Sequence, residues 1–359
     1  MRTWAITAFC AGTTLASWAL TRTFRNYAQA RGMLDVPNER SSHVRPTPRG
    51  GGAAIVLVTL AALCVLSLTN VLNWRPVLGF GAAGGVVAIA GFVDDRRHLK
   101  RRWRLLSHCG GASILWLSMS PSPSIAIHDS VLSGAAAFPL VILYVIWLIN
   151  LTNFMDGVDG LAASEAVSVA LGGAVLYAMT SRPDASIVPL VFAAAVGGFL
   201  IWNRPPAQIF MGDVGSGFVG IALAAMSLQA STVSRPLLWG WLILMGVFIV
   251  DASVTLIRRV LRAERVWLAH RTHAYQHAAF RWRSHGGVTL AVICINVFWL
   301  LPIGTLVALR RIDELTGIAI AYAPLIVAVV WLGAGAPASD VSAQTRSTRR
   351  SSTGEKVGR

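Results

Sequence analysis

Eleven apolar runs, each close to the length that crosses a hydrocarbon layer roughly 30 Å thick as a helix, leave this chain few ways to fold. They lie at approximately 3–21, 51–69, 76–93, 105–119, 136–152, 160–179, 187–202, 213–230, 236–256, 286–309 and 315–334. The fourth and seventh are short, so ten spans is the alternative count. A closed strand barrel would also satisfy backbone groups in lipid. It requires alternating apolar and polar residues, and the stretches 53–66 and 140–151 show none. The expected fold is an all-α polytopic membrane protein. Composition agrees, because 55% hydrophobic and 13% charged residues fall outside the range of ordinary soluble domains.

Charge sets the expected orientation. With the amino terminus on the periplasmic side, cytoplasmic loops and the carboxyl-terminal tail hold 25 of the 31 Lys and Arg residues. Only Arg2, Arg75, Arg182, Arg235, Arg310 and Arg311 fall outside, as the positive-inside rule requires. The same asymmetry accounts for most of the net charge of +15, so nucleic acid is not an expected partner. The partner at every depth is a lipid bilayer. Ala28-Gln29-Ala30 mimics a signal cleavage site, but Arg22 and Arg25 follow the apolar run instead of preceding it. An uncleaved first helix is expected. Cys10, Cys64, Cys109 and Cys294 have no close-spaced partners and read as packing residues.

One membrane domain is expected over residues 1–334, with 335–359, rich in Ser, Thr and Arg, as a disordered cytoplasmic tail. Nearly all long polar stretches fall on the cytoplasmic side: 21–50, 94–104, 153–159, 203–212 and 257–285. Acids recur at these helix ends, where a carboxylate is costly unless it holds a cation or performs chemistry. Asp94 and Asp95 close one apolar run, and on a helix they point about 100° apart, which allows them different roles. Asn153, Asp156 and Asp159 stand with two glycines in the segment 150–160. If a helix opens at Asp156, Asp156 and Asp159 share a face. A helix cap explains one of these acids but not the whole set. Asn203, Phe210 and Asp213 punctuate a Pro-stiffened loop at 203–217, where a cap is again the bland reading.

The segment 270–277, HRTHAYQH, groups imidazole, guanidinium and phenol, which suit an anionic oxygen cluster better than zinc. The Gly-rich end of the segment 34–52, PRGGG, resembles an RNA-binding tract only superficially, since it runs straight into an apolar helix. Asp251 lies inside an apolar run, about 9 Å from its end at 1.5 Å per residue. Its expected role is a structural pairing with Arg258 or Arg259.

Taken in order, these segments resemble the polyprenyl-phosphate N-acetylhexosamine-1-phosphate transferases, the family of MraY and WecA. The match runs from about residue 34 to 277. The resemblance implies an eleven-helix fold and transfer of a sugar 1-phosphate from a UDP-N-acetylhexosamine to undecaprenyl phosphate, with Mg²⁺ (or Mn²⁺) as cofactor. It implies that Asp94 is the base or phosphate-orienting group of the aspartate pair. Asp213, with Asp95 or its neighbour, becomes the metal ligand, and Phe210 stacks on uracil. Asn203 and Asn153 help hold the nucleotide, and Asp156 and Asp159 lie in the catalytic segment. His270, Arg271 and His273 then stabilise the diphosphate. The reading HRTHAYQH, together with RSSHVRPTPRGGG, looks most like the WbpL branch, which starts O-antigen-type polysaccharides. That branch suggests N-acetylfucosamine or a related 6-deoxy sugar, with GlcNAc next and the peptide-bearing substrate of MraY last. A homodimer is compatible with this reading. From another class, a secondary transporter also places acids among helices, but it favours the bilayer midplane and repeated halves, and no internal repeat is visible.

Overall fold

The computed structural model describes residues 3–37, 45–97, 99–123, 125–127, 130–265 and 270–336. The expected tail beyond 336 lies outside them. Helices occupy all eleven apolar runs: α1 (Thr3–Ala30), α2 (Gly52–Leu68), α3 (Trp74–Arg97), α4 (Arg101–Ser118), α5 (Phe138–Met155), α6 (Leu161–Met179), α7 (Ile187–Asn203), α8 (Gly212–Val233), α9 (Arg235–Leu244), α10 (Gly246–Leu261), α11 (Ala274–Trp282), α12 (His285–Ile295), α13 (Leu301–Ala308) and α14 (Glu314–Trp331). Among the described residues, seven spans are by length and composition apolar and long enough to cross a membrane, or eight if α9 and α10 form one span. The helix α2, at 17 residues, is apolar but falls just short of that length. Among the described residues, strands are confined to two short antiparallel pairs, β1 (Leu34–Asp35) with β2 (Thr47–Pro48), and β3 (Ile125–Ile127) with β4 (Ser130–Leu132).

The middle of the bundle is α8, which is buried almost throughout. Its small residues explain this: Gly215, Gly217, Gly220, Ala222, Ala224 and Ala225 let neighbouring backbones come close, the usual way helices associate where lipid competes for apolar contact. Around it stand α3 and α5, with α2 and α9 alongside.

The expected single span 236–256 is instead two helices meeting at Met245 with a 70° bend. The Tyr322 hydroxyl donates to the Leu242 carbonyl at 2.6 Å, satisfying an acceptor that the bend would otherwise leave bare. Continuity is kept in the span that follows. There α12 passes through one π-helical stretch, Asn296–Leu300, into α13.

Candidate active site

Two helix ends meet here because one residue has no side chain. A side chain at Gly91, near the end of α3, would run into the Asp213 backbone at the start of α8. Their contact brings three carboxylates together. Asp95 accepts the backbone N–H groups of Asp213 at 3.0 Å and Val214 at 3.2 Å, satisfying two donors at the exposed end of α8. Gly212 immediately before them has φ +75°, and a Cβ there would press on the Asp95 carboxylate at 2.6 Å. Glycine is therefore required at that turn on both counts.

Guanidinium groups bridge the acids. Arg49 donates from Nε to Asp95 at 2.8 Å and from Nη2 to Asp213 at 2.9 Å. It reaches them because the chain from β2 into α2 runs beside the 203–212 loop. There Phe210 N–H donates to the Pro48 carbonyl, and Gly51 N–H donates to Phe210. Arg104, in the first turn of α4, meets Asp94 at 3.2 Å, and the Leu99 N–H donates to the same carboxylate at 2.7 Å. The Asn153 amide donates to Asp213 at 2.9 Å and to Ser216 at 3.0 Å. The side chains of Asp94 and Asp213 are themselves within hydrogen-bonding reach. Two carboxylates at that range require a shared proton or a cation.

A cavity of about 490 Å³ opens beside this cluster. Arg104, His108 and Asn153 line both the cavity and the small pocket that holds Asp94 and Asp213. The far wall carries Asp156, His270 and His273. Asp156 is the residue after α5, and burial there pushes its carboxyl up to about 8, against the pull of Arg49. A divalent cation nearby would draw it down again. On the other side of Arg49 and Asp95 lies a second, larger cavity of about 880 Å³. Phe24, Tyr27, Leu34 and Phe92 give it an apolar wall, and Arg31 and Arg96 contribute charge.

Several expected site residues are placed otherwise. Asp159 faces the loop: its Oδ2 accepts the Ala207 N–H at 3.1 Å and pairs with His285 at 3.3 Å. The chain turns through Gly157 and Gly160 before α6 begins, so Asp156 and Asp159 do not share a helix face. Asn203 is buried, with its oxygen accepting the Gly160 N–H and its amide donating to the Ile209 carbonyl. It closes the loop, in place of the expected contact with a nucleotide. Phe210 is half-buried in its bridge with Arg49 and lies outside the wall of the 490 Å³ cavity. His270 and His273 stack at 5.0 Å, while Arg271 between them is half-buried. Asp251 does not take Arg258 or Arg259, which instead meet the Ala334 carbonyl and Glu264. The sequence reading missed Arg49, Arg104 and His108 as individual site residues.

Among the described residues no three His, Cys, Asp or Glu side chains close round one point. Asp94 and Asp213 nevertheless fit Mg²⁺, which is commonly held by one or two carboxylates and completed by water and phosphate oxygens. Asp95 is the poorer ligand, because both its oxygens already accept from backbone N–H groups and one also meets Arg49.

Known proteins are similar to this chain in sequence. The model of the family described as glycosyl transferase family 4 matches residues 77–231, a stretch that contains Asp94, Asp95, Asn153, Asp156, Asn203 and Asp213. The chain is 30% identical over 305 residues to a decaprenyl-phosphate N-acetylglucosaminephosphotransferase of Mycobacterium tuberculosis, covering 75% of this chain and 74% of that one. It is 28% identical over 270 residues to a probable undecaprenyl-phosphate N-acetylglucosaminyl 1-phosphate transferase of Bacillus subtilis, covering 74% and 75%. A phospho-N-acetylmuramoyl-pentapeptide-transferase of Kocuria rhizophila is 30% identical over 241 residues, 52% of this chain and 64% of the relative.

Proposed function

The chain belongs to the family of polyprenyl-phosphate N-acetylhexosamine-1-phosphate transferases, and on that premise we propose that it transfers a sugar 1-phosphate from a UDP-N-acetylhexosamine to undecaprenyl phosphate at the cytoplasmic face of a bacterial inner membrane. The observation that carries this reading is the Asp94–Asp213 pair, flanked by Arg49 and Arg104 and open to a cavity. Two phosphate-bearing substrates repel one another, and such a cluster supplies fixed positive charge on both sides of the carboxylates.

In this reading Asp94 and Asp213 would hold Mg²⁺, which when bound neutralises the diphosphate and polarises the phosphoryl group under attack. Arg104 and His270 line the 490 Å³ cavity and orient the diphosphate of the nucleotide sugar there. An oxygen of the lipid phosphate forms a bond to the β-phosphorus while the bond from that phosphorus to the bridging oxygen breaks, and UMP leaves with the bridging oxygen. Asp156, with its proton affinity raised toward neutrality, suits the task of taking any proton the lipid phosphate still carries. Arg49 keeps Asp95 and Asp213 in place against their mutual repulsion. Attack is direct. A trapped phospho-aspartyl enzyme, or UMP release before lipid binds, would overturn that step.

For the donor, the HRTHAYQH segment favours a 6-deoxy-N-acetylhexosamine such as N-acetylfucosamine, feeding an O-antigen-type polysaccharide. The names of the Mycobacterium and Bacillus relatives favour N-acetylglucosamine as the second reading. Purified protein with undecaprenyl phosphate and Mg²⁺, supplied with a panel of UDP-sugars, tests both. Release of UMP that depends on the lipid supports the reaction, and the preferred sugar decides the donor. No release with any sugar would return the chain to the transporter class.

A further inference from the structure

We propose that Asp251 is a positioning residue for this reaction, acting through His273 on the diphosphate of the nucleotide sugar; the inference rests on the function proposed above. Asp251 is 2% exposed within α10, and the side chains nearest it in sequence that could neutralise it are engaged elsewhere. What faces it comes from 22 to 24 residues further along the chain. Its Oδ1 accepts the Ala274 N–H at 3.0 Å and lies 3.3 Å from Nδ1 of His273, and its Oδ2 accepts the Tyr275 N–H at 3.0 Å. The Thr255 hydroxyl donates to Oδ1 at 3.1 Å.

This arrangement does two things at once. By accepting two backbone N–H groups from the first turn of α11, the carboxylate fixes where that helix begins. The His273 side chain also faces the Gln276 N–H in the capping box that opens α11, so the pairing with Asp251 is the contact that requires a proton on Nδ1, and it leaves Nε2 for the cavity. The ring cannot easily turn away. It is stacked between His270 at 5.0 Å and Tyr275 at 5.7 Å, and the Tyr275 hydroxyl donates to the Phe154 carbonyl at 2.9 Å. His273 lines the same cavity as Arg104 and Asp156. Through that side of the ring His273 reaches the diphosphate proposed to lie in the cavity.

The test is a double-mutant cycle on the full-length protein: Asp251→Asn, His273→Gln and the pair, with UMP release followed against nucleotide-sugar concentration. Each single variant is expected to lose about 10–100-fold in kcat, the range typical when an orienting partner is removed. KM for the donor should change less than kcat. The double variant is expected to fall no further than His273→Gln alone, because removing the ring removes what Asp251 acts on. Losses that multiply would overturn the proposal and reduce Asp251 to a helix cap, as would near-normal turnover in His273→Gln. A second readout covers the case in which Asp251→Asn does not fold. With ¹⁵N-labelled histidine, wild-type His273 should show a proton on Nδ1, and a signal for Nδ1 without a proton would overturn the pairing. Failure of the proposed function looks different: wild-type protein would then release no UMP with any UDP-sugar.

Discussion

Two of the buried polar clusters among the described residues hold acids put to opposite uses. At the meeting of α3 and α8, Asp94, Asp95 and Asp213 face Arg49 and Arg104, and the cluster opens into a cavity. Between α6 and the π-helical stretch after α12, Glu165 is 1% exposed and faces only neutral partners among those described. The Asn296 amide donates to its Oε2 at 2.6 Å and to Ser168 at 2.7 Å. Taking a charge out of water costs several kcal/mol per ion unless partners replace the lost hydration. The first cluster meets that cost with guanidinium groups and helix N–H donors and stays reachable. The second meets it with an amide, and joins two helices. A carboxylate deep in such a bundle is thus not enough to mark a site; opposed charge and an opening beside it are.

Removing an acid from each cluster should separate them most sharply. Asp213→Ala and Asp94→Asn are expected to lower UMP release by about 10³-fold or more, the scale on which a lost electrostatic contact to a phosphoryl group is felt. Circular dichroism and a detergent melt should show both variants folded. Near-normal rates in either would take that residue out of the mechanism and erase the contrast with Glu165.

Arg49 tests the charge half of the comparison. Its two-pronged contact to Asp95 and Asp213 needs a planar fork, so Arg49→Lys cannot reproduce both arms. A fall in kcat of about 10–100-fold is expected for the lysine variant, with the larger value for Arg49→Ala. Equal activity in wild type and Arg49→Lys would mean that one point charge is sufficient. Geometry comes next. A methyl group at Gly91 must push α3 away from the Asp213 backbone, and overpacking of this kind costs about 1–3 kcal/mol. Gly91→Ala should therefore lower the melting temperature and turnover together, measured on the same preparation. A normal melt with lost turnover would show the glycine serves the ligand instead of the helix contact.

The sequence made much of this legible, because burying backbone in lipid leaves a periodic apolar record. All eleven runs are helical, and the loops bearing Asp94, Asp156 and Asp213 do converge. Arg49 was hidden for a physical reason: in the expected orientation it is one of 25 Lys and Arg residues that the membrane rule alone accounts for, so it carries no signal of its own. Asp251 misled through helix spacing, which offers Arg258 and Arg259. The actual partners return from a loop that helical periodicity cannot see. Asp159 would share a face with Asp156 only if a helix opened at Asp156. The left-handed turn at Gly160 delays it and aims Asp159 at His285. The break at Met245 lies nine residues past the run's one proline, Pro236 at its start, so hydropathy could not show it.

The smallest effect belongs to the second cluster, and its sign is the informative part. Glu165 Oε1 and Asn296 Oδ1 are both buried without a partner in the structure. A glutamine at 165 can accept from the Asn296 amide with one arm and donate to its Oδ1 with the other, filling both vacancies with one change. Leaving a buried polar group unpaired costs about 1–3 kcal/mol, so Glu165→Gln should melt at the wild-type temperature or a few degrees above it, with turnover unchanged. Glu165→Leu removes the acceptor and should melt lower, because the Asn296 amide loses one of its two partners. A tenfold loss of turnover in Glu165→Gln at unchanged stability would move Glu165 into the company of Asp94 and Asp213. It would also show that an acid can serve the reaction without a cation facing it.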